Sequence, residues 1–482
     1  MPGKLLPLGF AFLLTTFLHI IPASASTASV IDRHAIVSRY NPTRNASSPT
    51  TPMQVGNGHF AFGADVTGLQ TFLPFAIMSD WGWKNDSLPP GRTWQDVEDY
   101  EGVQWDFHGR PVQYEFDGEP LVQQWLISNP NRVNLGRVGL LFLENDQKPT
   151  NVSEADLTDI EQSLNLWTGI MTSQFKFRGQ PITVTTVASQ SSSAVGVNIQ
   201  SPLLQSGKLG IYFDFPWNDG SQKFSAPFVG SFNATSNHTT SLRVSGSLGR
   251  NVQASIEHTL VASTFLTSIG GDPFVISRDS PSTHRYSVHP SSTSKSFSFT
   301  VAYSSVGNAV ATALPLYQAV VTESTRAWEA FWSQSGFVDV FTGSSDPRAD
   351  ELQRRIILSR YLMRVNEAGE TSPQEVCFLV VHSNVTNVQH EQSGLVNNGW
   401  VRLESEAFRR GLAYSRLFTV REVPHGAGLL APGTLGVMEQ LGSSGAYNGN
   451  VSSIPSDLDT TSTSATGVRN GCALVEDDGS IW

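Results

Sequence analysis

The chain has 482 residues, a net charge of −11, 39% hydrophobic, 10% aromatic and only 15% charged residues. That length can bury more than one core. The acidic, sparsely charged, aromatic-rich composition excludes a nucleic-acid binder, whose phosphate contacts call for Lys and Arg stripes, and suits neutral ligands such as sugars.

Lys4 precedes an apolar run from Leu5 to Ile21, and Ala23-Ser24-Ala25 follows as a small-residue cleavage signal. This is the layout of a secretory signal peptide over residues 1–25, too short and too interrupted by Pro7 and His19 for a membrane anchor. The mature chain is expected to be secreted and extracellular, with no membrane partner. Five acceptor triplets in the first half of the chain, at Asn45, Asn85, Asn151, Asn233 and Asn237, predict N-glycosylated surface loops on the same route, and two more stand at Asn384 and Asn450.

Residues 26–305 read as one β domain. Val195, Val197 and Ile199 alternate with small or polar neighbours, as do Phe297, Phe299, Val301 and Tyr303, Phe175 and Phe177, and Ile211, Phe213 and Phe215. Alternation with period two buries one face of a strand. Asn218-Asp219-Gly220, Gly270-Gly271-Asp272-Pro273 and Ser280-Pro281-Ser282 read as turns between such runs. Without interleaved helical patterns, the prediction is a large antiparallel β-sandwich.

The period then changes. In the helical linker at 306–345, Leu316, Val320, Val321, Trp328, Phe331 and Trp332 fall at helical spacing. Asp346-Pro347 announces a second helix, with Leu352, Ile356, Leu362, Met363 and Val365 as its expected buried stripe and an end near Gly369. Residues 346–400 therefore open a helical domain, and the fold class is α+β and multidomain. From Val401 both periodicities vanish, and Ser-, Thr-, Gly- and Asp-rich stretches read as a disordered tail over 401–482.

The segment Val55-Gly56-Asn57-Gly58-His59-Phe60-Ala61-Phe62-Gly63 through Phe72 resembles the opening sheet of six-hairpin glycosidases, related to glycoside hydrolase family 65. Arg326-Ala327-Trp328-Glu329-Ala330-Phe331-Trp332 is similar to their linker helix, and Asp346 to Leu362 to the first helix of their (α/α)₆ barrel. Ser393 to Trp400 resembles an approach to the sugar site. The resemblance covers about residues 30–400 and implies a carbohydrate substrate, no cofactor, and a general acid on a helix reading Y-G-K-F-H-x-E that follows the tryptophan.

Here Trp400 runs instead into Val401-Arg402-Leu403. Reading the codons of Val420 to Ala427 one base later permits Y-G-K-F-H-M-E, and ATG followed by G at Met438-Glu439 must give Trp. The resemblance thus implies a fungal-type member carrying two retained introns. One spans Val376 to Gln392, 17 codons that keep the frame. The other spans 19 codons from Val401 plus one base, which shifts it. Both cysteines, Cys377 and Cys472, fall in the affected stretches. The rival reading is a genuine insertion and a genuine disordered end. A six-hairpin barrel takes roughly 300 residues, so the barrel is expected to be incomplete and this chain inactive.

No catalytic residue can then be assigned. Gln374 and Glu375 at a helix-to-loop junction, and the amide and aromatic cluster Asn397, Asn398 and Trp400, are the candidate sugar-binding groups. Trp81 and Trp83, two apart, are read as a stacking platform sharing one strand face, or else as packing. His59 is read as structural because no second His or acid stands at ligand spacing, and Glu101, Asp106 and His108 are too scattered for a metal. The rival function is a non-catalytic carbohydrate-binding sandwich protein. Oligomeric state, sugar and linkage are open at this point.

Overall fold

The computed structural model describes residues 31–368, apart from 50, 108, 115–116, 130, 146–147, 219–228, 245–250, 292–293, 307–312 and 367. The chain divides into two units, Met1–Asp32 and Arg33–Trp482, and all the elements named here belong to the second.

Helix α1 (Arg33–Arg39) buries Ile36 and Val37. After β1 (Thr43–Arg44), strands β2 (Met53–Gly56), β3 (Phe60–Ala64) and β4 (Ile77–Ser79) make a three-stranded antiparallel sheet whose residues are buried throughout. β5 (Trp83–Lys84) leads into α2 (Trp94–Glu98), the hairpin β6 (Val103–Phe107) and β7 (Arg110–Tyr114), and α3 (Pro120–Ser128). The chain then returns through β8 (Asn131–Arg132) to pair with β5. These two helices interrupt what periodicity read as uniform β structure. Local capping explains them: Thr93 and Asp96 form a reciprocal capping box, and Glu119 caps α3 with Pro120 in its first turn.

The sandwich follows: β9 (Arg137–Phe142), β10 (Leu157–Asn165), β11 (Ile170–Phe177), β12 (Gln180–Ala188), β13 (Ala194–Gln200), the one-turn α4 (Pro202–Gln205) and β14 (Leu209–Asp214). It is completed by β15 (His238–Val244), β16 (Ala254–Leu260), β17 (Ser263–Gly271), β18 (Phe274–Arg278), β19 (Arg285–Pro290) and β20 (Ser296–Ser305). Among the described residues these form a nine-stranded antiparallel sheet, ordered β1-β10-β11-β12-β13-β20-β17-β16-β15, and a four-stranded one, β18-β19-β14-β9. The two share one apolar core, with Phe175, Val197, Phe299, Phe213 and Val288 among its members. Mostly antiparallel sheet with few helices is consistent with a β-sandwich. Gly270 and Gly271 belong to β17, paired with Thr300 and Phe299, so the expected turn begins only at Asp272.

β13 is buried on both faces rather than one. α5 (Tyr317–Gln334) lies on its outer side, and Gly196 admits it: a Cβ there would meet Tyr317 at 3.2 Å and Val320 at 3.3 Å. Val320, Trp328 and Trp332 supply the buried stripe of α5, whereas Leu316 stands at the N-cap and is exposed. Each buried tryptophan contributes on the order of 3 kcal/mol.

α6 (Ala349–Asn366) starts where Asp346 accepts from the Arg348 amide at 2.9 Å. Its buried face is Gln353, Ile357, Arg360, Tyr361 and Val365, shifted from the predicted stripe. Leu352 and Leu362 are 47% and 43% exposed, a correction to the expectation that they pack inward. Gln353 and Arg360 take inner positions because each finds polar partners there. Gln353 bonds the Val338 carbonyl and the Val340 amide, and Arg360 bonds Ser335 Oγ. Gly369, the expected cap, lies outside the described residues.

Candidate functional site

The turn between β2 and β3, Asn57-Gly58-His59, stands where three parts of the molecule meet. The Asn57 side chain is buried and uses both of its groups. Oδ1 accepts from the His59 and Phe60 amides at 3.0 and 2.8 Å, and Nδ2 donates to the Ser189 and Ser192 carbonyls at 2.9 and 3.1 Å. It thereby joins the turn to the β12–β13 loop, whose Ser189 Oγ donates to Glu323 of α5 at 2.9 Å.

Gly58 has φ +90°, and a Cβ on it would fall 2.6 Å from the Ala368 backbone. Only glycine satisfies both conditions. Its amide donates to the Val365 carbonyl at 2.9 Å, and Tyr361 Oη donates to the Gln54 carbonyl at 2.9 Å. Tyr361 in turn stacks on Trp328 of α5 with centroids 4.6 Å apart. The glycine-rich turn, the linker helix and the following helix, three segments singled out separately in the sequence, are thus one contact.

His59 has an acidic partner that its spacing in the sequence does not disclose. Strand pairing between β3 and β4 brings Asp80 beside it, with His59 Nδ1 2.7 Å from Asp80 Oδ2. A carboxylate only accepts, so Nδ1 carries the proton and the imidazole is held in one orientation. The histidine side chain is 38% exposed, while Asp80 is buried. An oriented, accessible imidazole can exchange hydrogen bonds with a hydroxyl ligand or relay a proton. The 21-residue separation hid this pair from any spacing rule; the register of two neighbouring strands was the signal that could have found it.

Trp81 follows Asp80, and its indole donates to Ser193 Oγ at 2.9 Å while packing against the core near Phe265. Trp83 is 48% exposed in the two-residue β5. The pair therefore forms no common stacking platform: the Trp83 amide donates to the Trp81 carbonyl at 3.2 Å, a tight turn that puts one ring inside and the other out. Gln374, Glu375, Asn397, Asn398 and Trp400 lie outside the described residues. So does His108, and among the described residues no group of three or more His, Cys, Asp or Glu side chains is arranged to hold a metal ion.

Near Glu323, an open concavity of about 640 Å³ runs along α5, lined by Gln318, Thr322, Glu323 and Arg326 with two alanines. At the other end of α5, Arg33 donates to the carbonyls of Trp332, Ser333 and Ser335 at 2.9, 2.8 and 2.6 Å. Burial and the neighbouring Arg33 charge hold the Arg360 guanidinium down at about 10. Of the acceptor asparagines, Asn45, Asn151, Asn233 and Asn237 are exposed, whereas Asn85 is half-buried with Oδ1 enclosed and unpartnered. Among the described residues no helix is long and apolar enough to cross a membrane.

No protein-family model and no curated protein matches the chain. Among solved structures it is similar to a protein assigned as a kojibiose phosphorylase, from the human microbiome, at 9% identity and TM-score 0.41, over 68% of this chain and 42% of that one. It is also similar to a family GH92 α-mannosidase from Bacteroides thetaiotaomicron in complex with mannoimidazole, at 10% identity and TM-score 0.26, over 78% of this chain and 45% of that one. The chain thus spans less than half the length of the solved structures it matches.

Proposed function

We propose that this chain is the sandwich and linker portion of a secreted carbohydrate-active enzyme of the six-hairpin glycosidase type, acting on O-glycosidic bonds. One observation carries the reading. α6 clasps the Gly56–His59 turn with one face, while Leu352, Ile356 and Met363, spaced as one helical stripe, lie outside its buried face, Leu352 exposed and the other two half-buried. A helix apolar on two sides needs a second packing partner, as the first helix of a helical domain would. The clasp also sets the oriented His59–Asp80 pair beside the point where the chain leaves α6.

On this reading the resident chemistry is acid catalysis on a glycosidic oxygen, supplied by a helix that this chain encodes out of frame after Val420. A positioned general acid is worth about 10²–10⁴-fold, so the 482-residue chain is inactive. The test is cDNA sequencing from Glu375 past Val420, followed by assay of both proteins on aryl glycosides and α-linked disaccharides. Activity from the corrected chain alone supports the proposal. Turnover by the chain as given that survives removal of residues 401–482 defeats both the frame argument and the placement of the acid. The second reading, a non-catalytic sugar binder, is favoured by the exposed indole of Trp83. Sugar retention by a corrected protein that turns nothing over would select it.

A further inference from the structure

Three histidines far from the Gly56–His59 turn meet between the two sheets. His238 opens β15, the last strand of the nine-stranded sheet, and His258 lies on neighbouring β16. His284 immediately precedes β19 in the four-stranded sheet. His238 Nδ1 is 2.9 Å from His258 Nε2, and the His238 and His284 rings lie 4.0 Å apart. All three residues are at least nine-tenths buried.

Hydrogen-bond chemistry requires His284, and at least one of His238 and His258, to be neutral. The Arg278 guanidinium, from β18, can only donate, and its Nη2 lies 3.2 Å from His284 Nδ1. That nitrogen therefore accepts, and the ring's single proton sits on Nε2, donating to the Thr235 carbonyl at 2.9 Å. Thr240 Oγ1, which receives the Tyr286 hydroxyl at 2.7 Å, also lies 2.8 Å from Nδ1. In the His238–His258 contact one nitrogen must accept, so both rings cannot be charged there. Their other nitrogens, His238 Nε2 and His258 Nδ1, are buried without a partner.

No carboxylate among the described residues is placed to offset a proton on these rings. Among the described residues no carboxylate is hydrogen-bonded to any of the three rings. Glu257 on β16 pairs with Arg243, and Asp279 beyond β18 pairs with Arg285 and Ser287. From β14 and the loop after it come Phe215 and Trp217, the latter under the Lys84 ammonium. The fixed charge that acts on His238 and His284 is the Arg278 guanidinium.

We propose that this cluster is an acid-sensitive latch, whose protonation releases the β15–β16 hairpin from the four-stranded sheet and lets it unzip from β17, while the rest of the sandwich stays folded. Burial holds His238 down at about 4 and lowers His258 and His284 as well. Unfolded histidine takes its proton near 6.5. Because the folded values are depressed, the open state binds more protons, and the latch weakens as pH falls below about 6.5 toward 4. His238 contributes about tenfold per pH unit to the opening equilibrium in that window, and His258 and His284 act in the same direction.

Hydrogen–deuterium exchange on the full chain, at about pH 7 and about pH 4.5 and corrected for intrinsic exchange, tests this. In the wild type, amides of 238–244 and 254–260 should lose about a hundredfold or more protection, while those of 180–200 keep theirs. His238→Gln, which preserves the Asn237 acceptor triplet, should cut that loss at least tenfold, and His284→Gln serves as an independent second variant. Unchanged protection in the wild type, loss that begins outside β15–β16, or variants that open as readily as the wild type would each overturn the proposal. The wild-type arm decides even where a variant does not fold.

Discussion

The Gly58 amide donates to the Val365 carbonyl at 2.9 Å, so the turn between two strands supplies a donor to the last turn of α6. Such terminal carbonyls have no partner within their own helix. Gly58→Ala should therefore cost about 2–4 kcal/mol, from its positive φ and from the Cβ placed against Ala368. Urea unfolding measures the loss. Ala368→Gly in the same chain should restore only part of it, since the positive φ at position 58 persists and the backbone at position 368 still meets the new Cβ at 2.6 Å; full restoration would show that both costs are negligible.

Asp214, at the end of β14, is pushed up to about 6 by burial, against the lowering influence of Arg285 and Arg137. The folded value lies above the ordinary carboxylate range, so the folded state is favoured in acid and loses that advantage as pH rises through about 6. Asp214→Asn should accordingly gain about 1–3 kcal/mol over wild type near pH 8, shrinking to little near pH 4. Chemical denaturation across that range checks the sign, and a gain that grows toward acid pH refutes it.

Peptide mapping after glycosidase treatment should find glycans on Asn45, Asn151, Asn233 and Asn237 in protein from a secreting eukaryotic host. Asn85 should be unmodified, because it is half-buried with its Oδ1 enclosed, next to Lys84, itself buried and paired with Asp86. Full occupancy at Asn85 in folded protein would mean that this loop packs differently.

Trp83→Ala should lower retention on immobilised neutral oligosaccharides several-fold while shifting stability by under about 1 kcal/mol, as expected of a half-exposed ring. Trp81→Ala should do the reverse, since its indole is tied to Ser193 and packed on the core.

The strands were legible in the sequence where a single face is buried, as in β11 with Phe175 and Phe177. They were less so in β13, whose second face is covered by a helix more than a hundred residues later, a fact no local pattern encodes. The stripe of α6 was misread because Leu352 and Leu362 are more apolar than Gln353 and Arg360, yet the polar pair finds partners in the interior. The glycine-rich turn stood out at once, but its purpose emerged only with Ala368 beside it. His59 with Asp80 and His238 with His258 are brought together by strand register, and His284 joins them by packing of one sheet on the other, neither of which spacing encodes.

Arg33 and the carbonyls it binds at the end of α5 are separated by 299 to 302 positions in the chain. At ribosomal rates of about 5–20 residues per second, Ser335 is made roughly 15–60 s after Arg33. Until then α1, only seven residues long, has no acceptor for its guanidinium, and it is too short to be stable alone. The tie between α1 and the end of α5 is thus among the last to form, so during synthesis α1 can rest only on earlier partners such as Trp167, and the closure of the unit's first helix on α5 waits for the last residues of that helix.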